Sequence, residues 1–193
     1  MLIICLIITN KDFMKTKQVL ILLAISGVAI NYLMSCKAMP KHAKPVDNFE
    51  IDKYLGLWYE IARIDFKHEE YLNQVTATYS KNPDGSIHVL NKGYHVLDKE
   101  WKTAEGKAKF RGKDTSIAKL KVTFFGPFYS GYNVIDLTKD YNYALVAGKN
   151  LDYLWILSRK PFIPDNIKDR FLKKAQSIGY DTDRLLWIEH EEN

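Results

Sequence analysis

Cysteine is nearly absent from this chain of 193 residues, and its two copies, Cys5 and Cys36, both lie near the N-terminus. The rest of the chain therefore has no disulfide, thiolate metal site or cysteine nucleophile available to it. Dense runs of Lys and Arg are also absent, and the part after Cys36 holds 25 basic against 22 acidic side chains. Such a mixed surface makes nucleic acid an unsuitable partner.

Motifs for catalysis and metal binding are missing as well. The chain has no Gly-x-Ser-x-Gly elbow and no phosphate-binding glycine loop. No metal-ligand spacing connects the five histidines, which are His42, His68, His88, His95 and His190. His68, Glu69 and Glu70 fall in a predicted loop, where we expect solvated polar side chains. We predict that the protein is not an enzyme and holds no metal and no cofactor.

The N-terminal segment is typical of a targeting sequence. A basic region at Met14–Lys17 precedes an apolar run over residues 19–30, which is the order of a secretory signal peptide and is too short to cross a bilayer. Leu33-Met34-Ser35-Cys36 ends it and resembles the lipobox of bacterial lipoproteins, which implies a lipidated Cys36. An ordinary signal peptide that happens to contain a cysteine is the alternative.

Further expectations concern this region and the domain that follows it. Residues 1–36 form the signal peptide, and residues 1–13 are explained by a start assigned too early, with Met14 the true start. Lys37 follows the cysteine. In some bacteria an Asp at this position retains lipoproteins in the inner membrane, so a lysine there favours the outer membrane and its periplasmic face. Residues 37–48 are rich in Lys and Pro and are predicted to be a tether, with one domain over 49–193.

The domain itself has mostly period-two apolar patterning broken at short intervals by turn residues, which is typical of an antiparallel β-meander. The clearest hairpin turn is Asn82-Pro83-Asp84-Gly85. We predict strands at about 57–65, 74–80, 86–96, 102–110, 118–125, 131–137, 142–148, 152–159 and 184–190.

One segment has helical spacing instead. Pro164 opens it, Gly179 closes it, and the apolar positions between them recur on one face: Ile167, Phe171, Leu172, Ala175 and Ile178. We predict an amphipathic helix that packs on the outside of a barrel.

Three motifs occur in order along the domain. They are Gly56-Leu57-Trp58-Tyr59-Glu60-Ile61-Ala62-Arg63, then Thr138–Leu145, then Leu154-Trp155-Ile156-Leu157-Ser158-Arg159. Together they resemble the signature of the lipocalin family, and the chain is most similar to the bacterial outer-membrane lipoprotein lipocalins and, more distantly, to apolipoprotein D. The resemblance implies an eight-stranded antiparallel up-and-down β-barrel with one C-terminal helix outside it and a short final strand.

The interior of such a barrel, here called the cup, is wide enough for one small ligand, so one end has to be closed. We predict that Trp58 closes it with the Arg159 guanidinium on its indole face, and that Gly56 allows the sharp turn into the first strand. Alternation along the strands then turns an apolar set of side chains inward. The predicted ligand-binding residues are Ala77, Tyr79, Val89, Asn91, Val122, Phe124, Tyr132, Val134, Tyr153 and Trp155.

This lining suits an acyl chain whose polar head stays near the opening. The family resemblance implies binding, storage or transport of fatty acids such as palmitate, or of lysophospholipids, at the membrane that holds Cys36. Two alternatives remain: an enzyme that modifies a lipid or pigment in the cup, and an envelope scaffold whose barrel is filled by its own side chains. A carboxylate pair converging on the cup would favour the enzyme, and the sequence leaves a homodimer open.

Overall fold

Antiparallel strands are the main secondary structure of the domain. The computed structural model describes residues 38–65 and 69–191, so the predicted signal peptide, Cys36 and His68 lie outside the described residues. The strands are β1 (Gly56–Ile64), β2 (Leu72–Lys81), β3 (Ile87–His95), β4 (Glu100–Phe110), β5 (Lys119–Thr123), β6 (Ser130–Leu137), β7 (Tyr143–Ala147), β8 (Leu154–Ser158) and β9 (Leu185–Trp187).

Eight of these strands close into a barrel. Each strand from β1 to β7 pairs with the next, and β8 pairs with β1 to close the barrel, in register Tyr59 to Ser158 and Arg63 to Trp155. The short β9 pairs with the end of β1, where Ala62 lies opposite Trp187. The predicted barrel with a short final strand is confirmed. Its strand ends differ from the predicted ones by a few residues, as at β9, which spans only three residues.

The barrel has two unlike ends, which we call the floor and the mouth. The floor is the end at which β1 begins, and it also carries the predicted turn at Asn82–Gly85 between β2 and β3. The mouth is the opposite end, and its loops join β1 to β2, β3 to β4, β5 to β6 and β7 to β8.

A C-terminal helix covers part of the outer wall. Helix α2 (Asp165–Ile178) starts after Pro164 and ends at Gly179, whose φ of 108° is the left-handed conformation that closes a helix. Its buried residues are Phe171, Ala175 and Ile178, and they pack with outward-facing apolar side chains of the barrel. The predicted amphipathic helix is confirmed, and its apolar stripe supplies a second core outside the cup.

The segment before the barrel also lies against it. The Val46 amide donates to the Val134 carbonyl at 2.9 Å, and the Ala118 amide donates to the Val46 carbonyl at 2.9 Å. Ala43 is buried in the outer core, and the Ala38 carbonyl accepts from the Asn133 side chain at 2.9 Å. Residues 38–48, which we expected to be a tether, thus follow the outer wall in the described part of the chain.

One short helix, α1 (Ile51–Tyr54), precedes β1 beneath the floor and was not predicted. At four residues it gives no periodicity that a sequence pattern could reveal. Within residues 38–65 and 69–191, no helix has both the length and the apolar character needed to cross a membrane.

Candidate functional site

The floor of the cup is closed by Trp58 and Arg159. Trp58 is fully buried, and the Arg159 guanidinium carbon lies 3.9 Å from the centre of its ring, the stacking that the sequence predicted. Arg159 also donates to the carbonyls of Leu57 at 2.6 Å, Leu55 at 2.8 Å and Lys53 at 2.9 Å. One side chain therefore ties the segment beneath the barrel to its first strand.

Gly56 makes this arrangement sterically possible. Its φ of 93° is one that residues with a side chain rarely adopt, and a Cβ there would lie 3.5 Å from Arg159 Nη1. Further aromatic rings fill the floor around Trp58. The ring of Tyr54 lies 4.7 Å from that of Trp58, and the ring of Phe49 lies 5.2 Å from that of Tyr54. The floor is thus sealed by aromatic rings that pack at tilted angles.

Three tyrosine hydroxyls form a chain just above the floor. The Tyr132 hydroxyl is 2.7 Å from that of Tyr54 and 2.9 Å from that of Tyr79. Burial raises the pKa of all three phenols, so they remain neutral donors and acceptors at physiological pH. Sequence reasoning predicted Tyr79 and Tyr132 on the inner wall, and it missed Tyr54, which belongs to the unpredicted helix α1.

The predicted ligand-binding residues are divided between two levels. Those nearest the floor are buried in the inner core with Trp58: Ala77, Tyr79, Val89 and Val134. Those nearer the mouth join the same core but keep part of their surface accessible: Val122, Phe124, Tyr132 and Trp155. Tyr153 lies at the rim, where its ring stacks on Trp155 with the centroids 6.2 Å apart. The inner wall is brought together as expected, while ligand binding by these residues stays a prediction.

Solvent accessibility rises along the inner wall towards the mouth. On β4 the inward-facing positions alternate with Glu105, Lys107 and Lys109, and they are small: Ala108 is buried, Gly106 is intermediate and Ala104 is exposed. On β5 the buried Leu120 is followed by the partly accessible Val122 and Phe124. Near the mouth, therefore, the inward-facing side chains of these two strands are not covered by the rest of the barrel, and this side of the cup is accessible.

Asn91 supplies an amide to the same wall. It lies between Ala77 and Ala104 across the strands, and its Oδ1 is buried without a hydrogen-bond partner among the described residues. A buried amide oxygen is a costly group to leave unpaired, so it favours a ligand or water that carries a donor. The prediction that Asn91 faces the cup agrees with this register.

A charged cluster inside the cup was not predicted. Arg63 is fully buried, and it donates to Glu60 through Nη1 at 2.9 Å and to Asp65 through Nε at 2.8 Å. Its Nη2 donates to the carbonyls of Glu69 and Leu72, and the Glu69 carboxylate lies 3.8 Å from Nε. The expectation of a solvated polar loop is wrong for Glu69, because its carboxylate turns towards Arg63 and accepts from the Trp155 indole at 3.1 Å.

Two carboxyl groups of this cluster, Glu60 and Glu69, have pKa values above their ordinary range. Burial raises the pKa of Glu60 to about 7, with Arg63 acting in the opposite direction. Burial, reinforced by the nearby charge of Glu60, raises the pKa of Glu69 to about 8. Arg63 lies closer to Glu60 than to Glu69, so its charge favours the ionised form of Glu60 more strongly.

A closed eight-stranded barrel with a sealed floor, an open mouth and one helix on its outer wall defines a calyx for small apolar molecules. The chain belongs to the lipocalin family, because the lipocalin-like domain matches residues 49–190. It is 48% identical to outer membrane lipoprotein Blc of Citrobacter freundii over 165 residues, 86% of this chain and 93% of that one. The chain is accordingly an outer-membrane lipoprotein of this family.

More distant relatives agree with this assignment. Mouse apolipoprotein D is 35% identical over 147 residues, 72% of this chain and 76% of that one. Among solved structures, insecticyanin from Manduca sexta superposes with a TM-score of 0.64 at 21% identity, covering 79% of this chain and 87% of that one. At that identity the likeness concerns the fold alone.

Proposed function

We propose that the cup binds single acyl chains, as fatty acids or lysophospholipids, and stores or carries them at the periplasmic face of the outer membrane. The observation that carries this proposal is the gradient on β4, from the buried Ala108 to the exposed Ala104. Small inward-facing residues leave volume inside the cup, and the accessible positions near the mouth allow a ligand to enter it. The naming of a relative as an outer membrane lipoprotein supports the location.

A hydrocarbon tail fits the chemistry of the wall. Val122, Phe124 and Trp155 offer apolar surface that is still in contact with solvent. Burying about a dozen methylenes at ~0.8 kcal/mol each yields on the order of 10 kcal/mol, from which association removes several. Micromolar binding follows without any ion pair.

The polar head belongs near the mouth. Arg63 is the one fully buried cation among the described residues, and its donors already point at Glu60, Asp65 and two backbone carbonyls. A fatty-acid carboxylate inside the cup would also meet the carboxyl groups of Glu60 and Glu69. The head therefore stays at the level of Tyr153 or above it.

A second function is favoured by one specific observation. Glu60 on β1 and Glu69 in the loop between β1 and β2 are a pair of carboxyl groups with raised pKa, which is an arrangement found in acid–base catalysis. Both carboxyl groups already have hydrogen-bond partners within the protein, because Glu60 accepts from Arg63 and Glu69 accepts from Trp155. This pairing argues against catalysis. Incubation with a lysophospholipid separates the two functions: recovery of the unchanged lipid supports a binding protein, and a Glu69-dependent product supports an enzyme.

The binding proposal is tested by narrowing the cup. Ala104→Trp places a large ring on the inner face, whereas Glu105→Trp places the same ring one residue away on the outer face. Both are made in a chain that also carries Cys36→Ser, so that the assay needs no detergent. We expect at least a tenfold loss of affinity for palmitate and palmitoyl-lysophosphatidylethanolamine in Ala104→Trp by calorimetric titration, and no change in Glu105→Trp. Equal affinities in the two variants would show that the lipid binds outside the cup.

A further inference from the structure

Apolar side chains project from the loops around the mouth. Phe125 and Phe128, in the loop between β5 and β6, are 75% and 80% exposed. The loop between β3 and β4 adds Leu97, which is 64% exposed, and Trp101 follows it on β4. Further exposed apolar residues in the described loops of this end are Tyr71, Val96, Tyr129 and Leu151. Exposed apolar surface gathered in one place marks a surface that meets a partner.

The charges around the β5–β6 loop suit a lipid headgroup layer. The sequence has no Asp or Glu between Asp114 and Asp136, a stretch that includes the whole β5–β6 loop. Lys121 Nζ lies 4.7 Å from the Tyr129 ring centre, and Lys92 Nζ lies 4.3 Å from that of Trp101. Lysines beside aromatic rings are typical of membrane interfaces, where the ring sits among the headgroups and the ammonium reaches phosphate.

The acidic groups of the neighbouring loop are already paired. Asp98 and Glu100 both lie within ion-pair distance of Lys102. The pairing raises the pKa of Lys102, so the lysine stays charged and offsets part of their negative charge. These two carboxylates therefore repel an anionic membrane surface less than two unpaired carboxylates would.

Ala38, the first described residue, lies against the mouth half of the barrel. The carbonyl of Ala38 accepts hydrogen bonds from Asn133 at 2.9 Å and Arg111 at 3.1 Å, and a Cβ on Gly131 would collide with it. Gly131 is the second residue of β6, which begins at the mouth. Two peptide units, about 8 Å of chain at most, separate Cys36 from Ala38. An acylated Cys36 thus has little slack.

From these observations we propose that the barrel stands mouth-down on the bilayer that holds its acyl chains, with Phe125 and Phe128 in the interface. The short chain from Cys36 restricts the barrel to poses in which the mouth half of β6 is near the membrane. Burial of the exposed Phe125 and Phe128 rings then favours the pose in which the mouth loops touch the bilayer. A lipid passing between bilayer and cup in this pose would not cross bulk water.

The test uses the mature lipoprotein with its anchor, reconstituted in vesicles of phosphatidylethanolamine and phosphatidylglycerol. An environment-sensitive fluorophore is attached to Phe128→Cys at the mouth or, as the control, to Phe162→Cys beyond the floor end of β8. Phe162 is also an exposed phenylalanine, at 55%. We expect a blue shift and severalfold stronger quenching by lipids with nitroxide-labelled acyl chains at position 128 than at position 162. Equal quenching at both positions, or stronger quenching at 162, would overturn the proposal.

Two further measurements separate the contributions of anchor and rim. A fluorophore at Leu151→Cys reports the height of the mouth in the double variant Phe125→Ser/Phe128→Ser, whose substitutions are on exposed side chains. We expect its quenching to fall at least twofold, and no change would refute the role assigned to the rings. Efficient cross-linking between two Phe128→Cys chains, without quenching by lipid, would identify a second copy of the chain as the occupant and would also overturn the proposal.

Discussion

Trp155 donates its indole N–H to the Glu69 carboxylate at 3.1 Å, which joins the wall of the cup to the loop between β1 and β2. Glu69 in turn lies beside Arg63, whose backbone pairs with Trp155 across β1 and β8. A polar cluster is therefore built into an otherwise apolar wall. Its titration gives the protein a pH dependence that an apolar cup would lack.

Stability should decrease as the pH rises from 5 to 9. The pKa of Glu60 is raised to about 7 and that of Glu69 to about 8, so the folded state binds more protons than the unfolded state between about pH 4.5 and 8. Unfolding free energy then falls as pH increases through this window and levels off above it. We expect a loss of a few kcal/mol by urea denaturation, because each unit of pKa difference corresponds to about 1.4 kcal/mol.

The matched variant is Glu69→Gln, which keeps an oxygen that can accept from Trp155 and cannot ionise. Its unfolding free energy should vary markedly less across the same pH window. An unchanged slope would mean that other groups carry the dependence.

Arg159→Met should destabilise the fold by about 3 kcal/mol. Methionine keeps some packing on Trp58 and leaves the carbonyls of Leu57, Leu55 and Lys53 without their donor. The measurement is the urea midpoint at constant slope. Arg184→Met is the control, because among the described residues the Arg184 side chain makes one surface pair, with Asp152 at 3.5 Å, and its loss should change stability by less than about 1 kcal/mol.

Tyr132→Phe should cost about 1–3 kcal/mol, because it removes the hydroxyl that bridges Tyr54 and Tyr79 and leaves both without a partner. Thermal unfolding measures the loss. Tyr94→Phe removes a hydroxyl that makes no hydrogen bond among the described residues, so its midpoint should stay within error of the parent. A similar shift in both variants would contradict a special role for the buried chain.

Gly179→Ala should cost about 1–2 kcal/mol, since an L side chain is strained at a φ of 108° and the cap of α2 is weakened. Lys173→Ala on the exposed face of the same helix should leave stability nearly unchanged. Chemical denaturation of the two variants side by side decides the point. A neutral Gly179→Ala would show that the end of the helix can rearrange.

Strict alternation predicts much of the inner wall, and it fails where a strand is irregular. Trp58 and Glu60 face inward in turn, and then the pairing of β1 with β8 shifts between Glu60 and Ala62. After the shift Ala62 and Ile64 pack in the outer core, and Arg63 points inward. A pattern read from Trp58 alone turns Arg63 to solvent, which is why the charged cluster escaped prediction. The spacing of Glu60 and Arg63 in an otherwise apolar strand was the available signal.

Other features were predictable because they depend on local chemistry. Pro164 and Gly179 bound α2 as helix start and stop residues do, and the stacking of Arg159 on Trp58 follows from the family motifs. The course of residues 38–48 was not predictable. Their composition suits a solvated linker, and they are held by backbone hydrogen bonds of Val46, which composition does not encode.

The tyrosine hydroxyls above the floor set a depth limit for whatever enters the cup. In lipids of increasing length, each added methylene contributes roughly 0.8 kcal/mol to the binding free energy, until the end of the tail reaches Tyr79 and Tyr132. Beyond that length the extra carbons can only push the head outward past Tyr153. The barrel would then discriminate between lipids by chain length: affinity would increase along a homologous series and become constant beyond one length.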